Sequence, residues 1–234
     1  PIESTLVGGL DIAYDLLGFH DGLTIVSEVI IRVNLCLLAL PGAAVRDLRT
    51  LASHPVMLSQ CTHFLTRYKN ITAQPSWDTA GAAREVAELG DPTRAAAATR
   101  RAAERFGLAV VLEHLEDRSD SQMRFLAVGR NPAQVEDGAP ARTAILFVVP
   151  SAAGALVGAL QPLADAGYNI GHLASRPTRE PWRYQFFVEV DHPAGDPDAE
   201  AALAATRRAS AEYRCLGTYP RWPVLNDLSP GFPR

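Results

Sequence analysis

The sequence is poor in the features that mark secreted, metal-binding and redox proteins. Only three of its 234 residues are cysteines, and Cys36, Cys61 and Cys215 form no C-x-x-C pair. Disulfide frameworks normally need an even set of cysteines in an oxidising compartment. We therefore expect reduced, mostly buried thiols and a cytoplasmic protein. The spacing of histidines and cysteines also offers no metal site.

Long apolar runs and blocks of like charge are absent too. The longest apolar stretch, from Leu23 to Leu40, is interrupted by Glu28, Arg32 and Asn34, whereas a membrane span needs roughly 20 apolar residues. The net charge is only -4, with no basic run. We therefore expect neither a membrane nor nucleic acid as a partner. The chain opens at Pro1 without a signal peptide, and we expect that the first part of its first domain lies outside this sequence.

Motifs for nucleotide-dependent or nucleophilic catalysis are also lacking. The sequence has no Walker loop, no dinucleotide-binding fingerprint and no G-x-S-x-G elbow, so we expect no cofactor. The pair Gly8 and Gly9 is more typical of a tight turn than of a phosphate loop. His54 and His63 are more typical of structural histidines than of ligands.

The length and the 47% hydrophobic content are sufficient for two small domains. The polar segment Asn131–Ala141, with two prolines, is the best boundary between them. Before it, strand-like and helical runs alternate, which predicts an α/β domain with buried strands. The predicted helices are Pro55–Tyr68, Thr79–Leu89 and Arg100–Phe106, and the predicted strands are Leu23–Leu38, Ala95–Ala98, Leu108–Leu112 and Arg124–Val128.

After the boundary, the pattern predicts the order βαββαβ, an α+β sandwich with both helices on one face of an antiparallel sheet. The predicted strands are Ala144–Val149, Asn169–Ser175, Tyr184–Asp191 and Arg214–Thr218, and the predicted helices are Gly154–Ala166 and Pro197–Ala211.

Polar residues stand at the ends of these elements, where α/β folds place ligand sites. They form four short strings, Pro1–Thr5, Ser53–Cys61, Asp78–Ala80 and Met123–Phe125. Each has a structural alternative, and Thr79 is a suitable helix N-cap. Arg124 needs an anionic partner, because an unpaired buried guanidinium is costly. That partner is either a substrate carboxylate held by two hydrogen bonds or an Asp or Glu side chain.

The order and spacing of these strings resemble the prephenate dehydratase family, followed by an ACT domain. The similar segments are Pro1–Thr5, Asp15–Leu17, Ser53–Pro55, Gln60–Cys61, Thr79–Ala83, Ala102–Leu108, Asp117, Ser121–Phe125, Gly154–Leu156, Tyr168–Ile170, Ala174–Pro177 and Leu216–Pro220. The resemblance implies an α/β catalytic domain at 1–131, of which a periplasmic-binding-protein-like lobe is present. It also implies an ACT regulatory domain at 142–220, followed by an irregular tail at 221–234.

The resemblance implies prephenate as the substrate and assigns roles to individual positions. The implied catalytic residues are Glu3, Thr5, Gln60 and Met123, and the implied substrate-binding residues are Ser4, Ser53, His54, Thr79 and Arg124. Met123 and Arg124 would then face one cleft.

The sequence departs from the family where the chemistry is most demanding. Met123 stands where the family has the threonine that is assigned to protonate the departing hydroxyl. A thioether has no proton to donate, and loss of a positioned acid typically costs ~10²–10⁴-fold in rate. We therefore expect a lyase that decarboxylates prephenate without losing the C4 hydroxyl, as non-aromatizing prephenate decarboxylases do. The alternatives are an ordinary prephenate dehydratase that makes phenylpyruvate for phenylalanine biosynthesis and an inactive amino-acid-binding regulatory protein.

For the second domain, the resemblance implies a phenylalanine effector bound between ACT domains of a homodimer or homotetramer. The implied effector residues are Gly154, Ala155, Leu156, Asn169, Ser175 and Arg176. Ala153 and Ala174 replace a proline and a glutamate of the family pattern. Effector binding is therefore expected to be changed, and the alternative is a domain that serves dimerisation alone.

Overall fold

The computed structural model describes residues 1–222 and contains two compact units, each assembled from separate chain segments. The first unit comprises Pro1–Ser4, Gly8–Ile30 and, among the described residues, the chain from Arg124 to Trp222. The second unit comprises Thr5–Val7 and Ile31–Met123. The predicted tail at 221–234 lies outside the described residues, apart from Arg221 and Trp222.

The chain forms thirteen strands and seven α-helices in the described range. The strands are β1 Glu3–Ser4, β2 Gly8–Gly9, β3 Thr24–Arg32, β4 Cys36–Ala39, β5 Thr50–Ser53, β6 Thr72–Pro75, β7 Arg94–Ala98, β8 Ala109–Leu112, β9 Gln122–Gly129, β10 Pro140–Val148, β11 Asn169–Pro177, β12 Tyr184–Pro193 and β13 Glu212–Pro220. The helices are α1 Asp11–Phe19, α2 Pro55–Leu58, α3 Thr62–Arg67, α4 Thr79–Leu89, α5 Arg100–Phe106, α6 Ala155–Asp165 and α7 Pro197–Ala209, and a 3-10 turn spans Val45–Asp47.

The second unit is built on a five-stranded sheet in the order β6-β5-β7-β4-β8. Strand β5 pairs in parallel with β6 and β7, whereas β4 is antiparallel to β7 and β8. Its core joins small residues of β7, such as Ala96 and Ala98, to Ala82 and Ala83 of α4 and Ala103 of α5. Alanine side chains allow helices to approach a sheet closely, so this alanine-rich sequence is suited to the packing. The predicted α/β class is confirmed.

The chain after residue 139 forms the predicted βαββαβ unit, within the first compact unit. Its four strands are antiparallel, in the order β11-β12-β10-β13. Successive strand residues point to opposite faces: Ile145 and Phe147 pack with α6 and α7, whereas Leu146 packs with Tyr14 and Phe187 on the other face. Both faces of this sheet are therefore covered by apolar side chains.

The predicted long helix at Pro55–Tyr68 is instead two short helices, α2 and α3. The Asp117 carboxylate accepts hydrogen bonds from the backbone N–H groups of Thr62, at 2.9 Å, and His63, at 2.8 Å. These groups begin α3 and would otherwise lack partners. A cap from a residue distant in sequence thus starts a new helix, which local pattern does not reveal.

Other differences from the sequence prediction also concern short elements and caps. The structure divides the predicted strand Leu23–Leu38 into β3 and β4 and adds α1, β5 and β6. Helix α4 is capped by Asp78, not by Thr79, because the Asp78 carboxylate accepts from the Gly81 backbone N–H at 2.6 Å. No helix within residues 1–222 is both long and apolar enough to cross a membrane.

Candidate functional site

Arg124 is the centre of a buried ionic cluster in the first unit. Its two Nη nitrogens donate four hydrogen bonds: to Glu28 at 2.8 Å, to the two oxygens of Glu189 at 3.0 and 2.6 Å, and to Glu3 at 3.2 Å. Arg124 is 4% exposed, and the Glu28 and Glu189 side chains are equally buried. Burial opposes the charge, but the hydrogen bonds and negative charge of these carboxylates hold the pKa of Arg124 above its usual value.

A second arginine and a tyrosine complete the cluster. Arg142 donates to Glu28 at 2.9 Å and to Asp191 at 2.7 Å, and the Tyr219 hydroxyl donates to Glu189 at 2.7 Å. Burial and the negative charge of Glu189 both raise the pKa of Tyr219. Each carboxylate in the cluster therefore has donors that compensate for its removal from water.

Glu3 connects this cluster to the side chains of His172 and Tyr14. His172 Nδ1 lies 3.0 Å from the Glu3 carboxylate, and His172 Nε2 lies 2.8 Å from the Tyr14 hydroxyl. The hydrogen bond from His172 lowers the pKa of Glu3 most; burial opposes the change and the charge of Arg124 adds to it, so that the pKa is about 2. Glu3 is therefore an ionised carboxylate at neutral pH, and its side chain is 33% exposed.

The sequence left open whether Arg124 pairs with a substrate carboxylate or with an acidic side chain. In the structure its partners are the side chains of Glu28, Glu189 and Glu3. The four Nη hydrogen bonds of Arg124 are made within the protein, and its role in substrate binding stays a prediction. Met123, the preceding residue on β9, is 6% exposed. The expectation that Met123 and Arg124 face one cleft stays a prediction, and so does the catalytic role of Met123.

The second unit has a buried polar cluster of its own around Gln60. The Ser121 hydroxyl donates to Gln60 Oε1 at 2.9 Å, and the Asp117 backbone N–H donates to the Gln60 carbonyl at 2.6 Å. Gln60 Nε2 is buried without a hydrogen-bond partner among the described residues. Ser121 immediately precedes β9 and stands two residues before Met123. The predicted catalytic residue Gln60 is therefore held by Ser121 and Asp117.

The remaining predicted residues make local structural contacts. The Ser53 hydroxyl donates to the Ala97 carbonyl at 2.6 Å, and His54 Nδ1 accepts from the Val56 backbone N–H at 3.2 Å at the start of α2. Thr5 accepts from the Gln122 backbone N–H at 2.9 Å. Ser4 is buried, and Thr79 is half-buried at the start of α4. Their roles in substrate binding or catalysis remain predictions.

Six residues of the first-unit cluster were not identified from the sequence, and they are Tyr14, Arg142, His172, Glu189, Asp191 and Tyr219. Glu28 was noticed only as an interruption of an apolar stretch. Glu189 lies within the apolar run of β12, and a charged residue in such a run is the one local signal that could have indicated it. His172 and Tyr14 are brought together over 158 positions, so no local pattern could have paired them.

Three of the predicted effector residues line one cavity beside α6. The cavity has a volume of about 450 Å³, and Gly154, Ala155 and Leu156 line it together with Val149 and Phe186. Gly154 adopts φ +78°, a backbone conformation that favours glycine. The structure therefore offers an apolar cavity at the turn before α6.

The other three predicted effector residues lie on β11 and do not line this cavity. Asn169 and Ser175 are exposed. Arg176 forms two hydrogen bonds of 2.8 Å with Asp15 and an ion pair of 2.5 Å with Asp11. Within the described part of the chain, no group of three or more His, Cys, Asp or Glu side chains could hold a metal ion.

Taken together, the chain forms an α/β domain followed in sequence by a βαββαβ domain, with buried polar clusters around Arg124 and Gln60. A family model described as prephenate dehydratase matches residues 1–133, and a model described as ACT domain matches residues 143–208. The chain belongs to the prephenate dehydratase family.

Known proteins support this assignment over nearly the whole chain. Arogenate dehydratase/prephenate dehydratase 2, chloroplastic, of Arabidopsis thaliana is 35% identical over 94% of this chain and 60% of its own length. A prephenate dehydratase from Arthrobacter aurescens, solved in complex with L-Phe, has a TM-score of 0.82 at 29% identity, covering 92% of this chain and 71% of that one. The structure of GqqA, described as a novel type of quorum quenching acylase, has a TM-score of 0.81 at 34% identity, covering 94% and 80%. The chain spans 55% to 60% of the length of these and similar curated relatives that it matches.

Proposed function

We propose that this protein is a lyase that decarboxylates prephenate. The family membership carries the proposal, together with the ionised, partly exposed carboxylate of Glu3 in the string Pro1–Thr5. Relatives named as arogenate dehydratases extend the candidate substrates to arogenate. In either substrate, carbon dioxide leaves and its bonding electrons pass into the ring.

The finer proposal concerns the fate of those electrons. In an ordinary dehydratase they expel the C4 hydroxyl, which must receive a proton because hydroxide is a poor leaving group. The buried thioether of Met123 cannot supply that proton. A proton added to a ring carbon accepts the electrons instead, and the product keeps its hydroxyl and is not aromatic. We therefore propose a non-aromatizing decarboxylase, and the dehydratase names of the relatives support the ordinary reaction as the second candidate.

Product analysis decides between these reactions. Purified protein is incubated with prephenate, and separately with arogenate, and products are identified by mass spectrometry and proton NMR. A dihydro-hydroxyphenylpyruvate is expected from prephenate. Phenylpyruvate formed at an ordinary enzymatic rate would establish the dehydratase and overturn the finer proposal. Loss of neither carbon dioxide nor water from either substrate would overturn the lyase and leave a ligand-binding protein.

The same preparation can be tested for acylase activity, because one structural relative is described as an acylase. A peptide-like acylated amine is the probe, and release of the free amine is measured. Amide cleavage normally requires an activated nucleophile or water. We expect no release above the uncatalysed rate, and turnover would assign the protein to the acylases.

We also propose phenylalanine as the effector, bound at the cavity lined by Gly154 and Leu156. We further propose that the protein is a homodimer or homotetramer in the cytoplasm. The ACT model and the L-Phe complex of the related structure support the effector. Sedimentation of the protein with and without phenylalanine tests the assembly, and a monomer under both conditions would contradict it.

A further inference from the structure

Two side chains, Arg124 and His172, contact the Glu3 carboxylate, and Arg124 is also held by two other carboxylates. Arg124 makes its shortest contacts with Glu189, at 2.6 Å, and Glu28, at 2.8 Å, and reaches Glu3 only at 3.2 Å. His172 is closer to Glu3, at 3.0 Å. Because the geometry of Arg124 is determined by the more buried carboxylates, His172 is the donor that can orient Glu3.

The contacts of His172 define which of its nitrogens carries the proton. An ionised carboxylate can only accept hydrogen bonds, so the Nδ1 that faces Glu3 must be the N–H. In the neutral ring, Nε2 is then the acceptor, and the Tyr14 hydroxyl donates to it at 2.8 Å. Tyr14 is almost fully buried and packs against Phe187, with ring centroids 4.9 Å apart. The buried side chain of Tyr14 therefore fixes the position of the His172 ring.

Both donors act on the same oxygen of Glu3. Arg124 and His172 each contact Oε2, and Oε1 receives no hydrogen bond from the described residues. The side chain remains 33% exposed. The carboxylate thus presents one anchored oxygen and one available oxygen, which is the arrangement that a group needs to accept or orient a proton of a bound molecule.

We propose that His172, a residue of the βαββαβ domain, is a positioning residue for Glu3 in the lyase reaction. The inference rests on the proposed function and deepens it, because it assigns part of the catalytic geometry to the second domain. The same strand, β11, carries Ser175 and Arg176, which the family resemblance implies in effector binding. A ligand that moves β11 would therefore move the donor to Glu3.

Three substitutions of His172 separate positioning from packing. His172→Asn places an amide N–H near the position of Nδ1, His172→Gln extends the amide toward the position of Nε2, and His172→Phe keeps a ring but removes both nitrogens. We expect His172→Phe to lower kcat by about tenfold or more with little change in KM, because loss of orientation acts on the reacting geometry. His172→Asn should recover most of kcat, and His172→Gln should not. His20→Phe, at an exposed histidine of the same unit, is the control with unchanged activity.

Equal kcat values for the Asn, Gln and Phe variants would overturn the proposal, since a purely structural role does not distinguish the position of the N–H. Near-UV circular dichroism of each variant is compared with that of the wild-type protein. If His172→Phe does not fold, the Asn and Gln variants still decide the question by their difference in kcat.

A titration that does not require activity tests the same contact. The Glu3 carboxyl carbon is followed by ¹³C NMR as the pH is lowered from neutral to about 3, in a range where the wild-type pKa of about 2 predicts little change. Arg124 faces Glu3 directly, and Tyr14, which contacts His172, lies in the field of Glu189 and Asp11. In His172→Phe, Glu3 should titrate within this range, and an unchanged titration would overturn the proposal. If the wild-type protein turns over neither substrate, the proposed function fails, whereas this titration still decides whether His172 holds Glu3.

Discussion

Arg124 and Glu189 form a buried, two-pronged ion pair, with Nη1–Oε1 at 3.0 Å and Nη2–Oε2 at 2.6 Å. Arg124→Met would remove the partner of Glu189 and of Glu28. Loss of one member of a buried pair typically costs about 3–5 kcal/mol, because it leaves an uncompensated charge. We expect a decrease of this size in the free energy of unfolding, measured by urea denaturation.

The control for this prediction is Arg118→Met. Arg118 pairs with Asp120 on the surface, where both side chains are more than half exposed, and surface pairs contribute little. No measurable loss of stability is expected. Equal effects of the two substitutions would show that the Arg124 cluster is not buried as the structure indicates.

Stability should depend on pH through Glu3. Its pKa is lowered from 4.5 to about 2, so the folded state favours the ionised form. This contribution is complete above the unfolded pKa of about 4.5 and is lost as the pH falls toward 2. The difference in unfolding free energy between wild-type protein and Glu3→Gln should therefore decrease as the pH is lowered through this window. A difference that stays constant from pH 7 to 3 would contradict the low pKa.

Met123→Thr tests whether the residue at position 123 on β9 determines if the C4 hydroxyl of prephenate is protonated and lost. A hydroxyl at this position restores a group that can donate a proton, so we expect phenylpyruvate output from prephenate to rise by roughly 10²-fold or more. Met123→Leu, which also lacks a donor, is the matched control and should leave the product distribution unchanged. An identical product distribution for the Thr and Leu variants would show that this side chain is remote from the reacting atoms.

The cap of α4 provides a test in the second unit. Asp78→Ala should lower the unfolding free energy by about 1 kcal/mol, because the Gly81 backbone N–H loses its acceptor. Thr79→Ala should have a smaller effect on stability. If Thr79 binds substrate, as the family resemblance implies, its substitution should raise KM instead. Unchanged stability and unchanged KM in Thr79→Ala would exclude both roles for this hydroxyl.

Phenylalanine binding can be measured by calorimetry. We expect heat of binding at the cavity beside α6, and a weakening of roughly tenfold in Leu156→Ala. The partly buried Leu156 lines this cavity, and loss of about 1.4 kcal/mol of apolar contact corresponds to a tenfold weakening. Leu89→Ala, at an exposed leucine of α4, is the control and should bind like the wild-type protein. Absence of heat at millimolar phenylalanine would leave the βαββαβ domain with a structural role.

Regular elements were predicted well where they bury a periodic apolar face. Helices α4, α5 and α7 and the four strands of the βαββαβ domain occur close to their predicted positions, because apolar periodicity determines which face can be buried. Helix α1 was not identified. It lacks a side-chain cap at Leu10, and its large residues Ile12 and Leu16 are exposed, so the usual signals of a helix start and a buried face are weak.

The candidate site was predictable only in part, and Arg124 shows why. The sequence indicated that a guanidinium in an apolar strand needs an anion, and the structure supplies Glu28 and Glu189 as well as Glu3. Glu189 is 65 positions away from Arg124. Choosing between a substrate and an internal partner requires knowledge of which side chains the fold brings within hydrogen-bond distance.

The amino-acid sequence alone determined the family, the α/β and βαββαβ organisation and the presence of a buried arginine that must be paired, because these follow from local patterns and ordered motifs. Only the tertiary structure decided that Arg124 pairs with Glu28 and Glu189 and that His172 contacts Glu3. The physical reason is that long-range packing sets the neighbours of each side chain. Those neighbours cannot be read from the position of a residue in the chain.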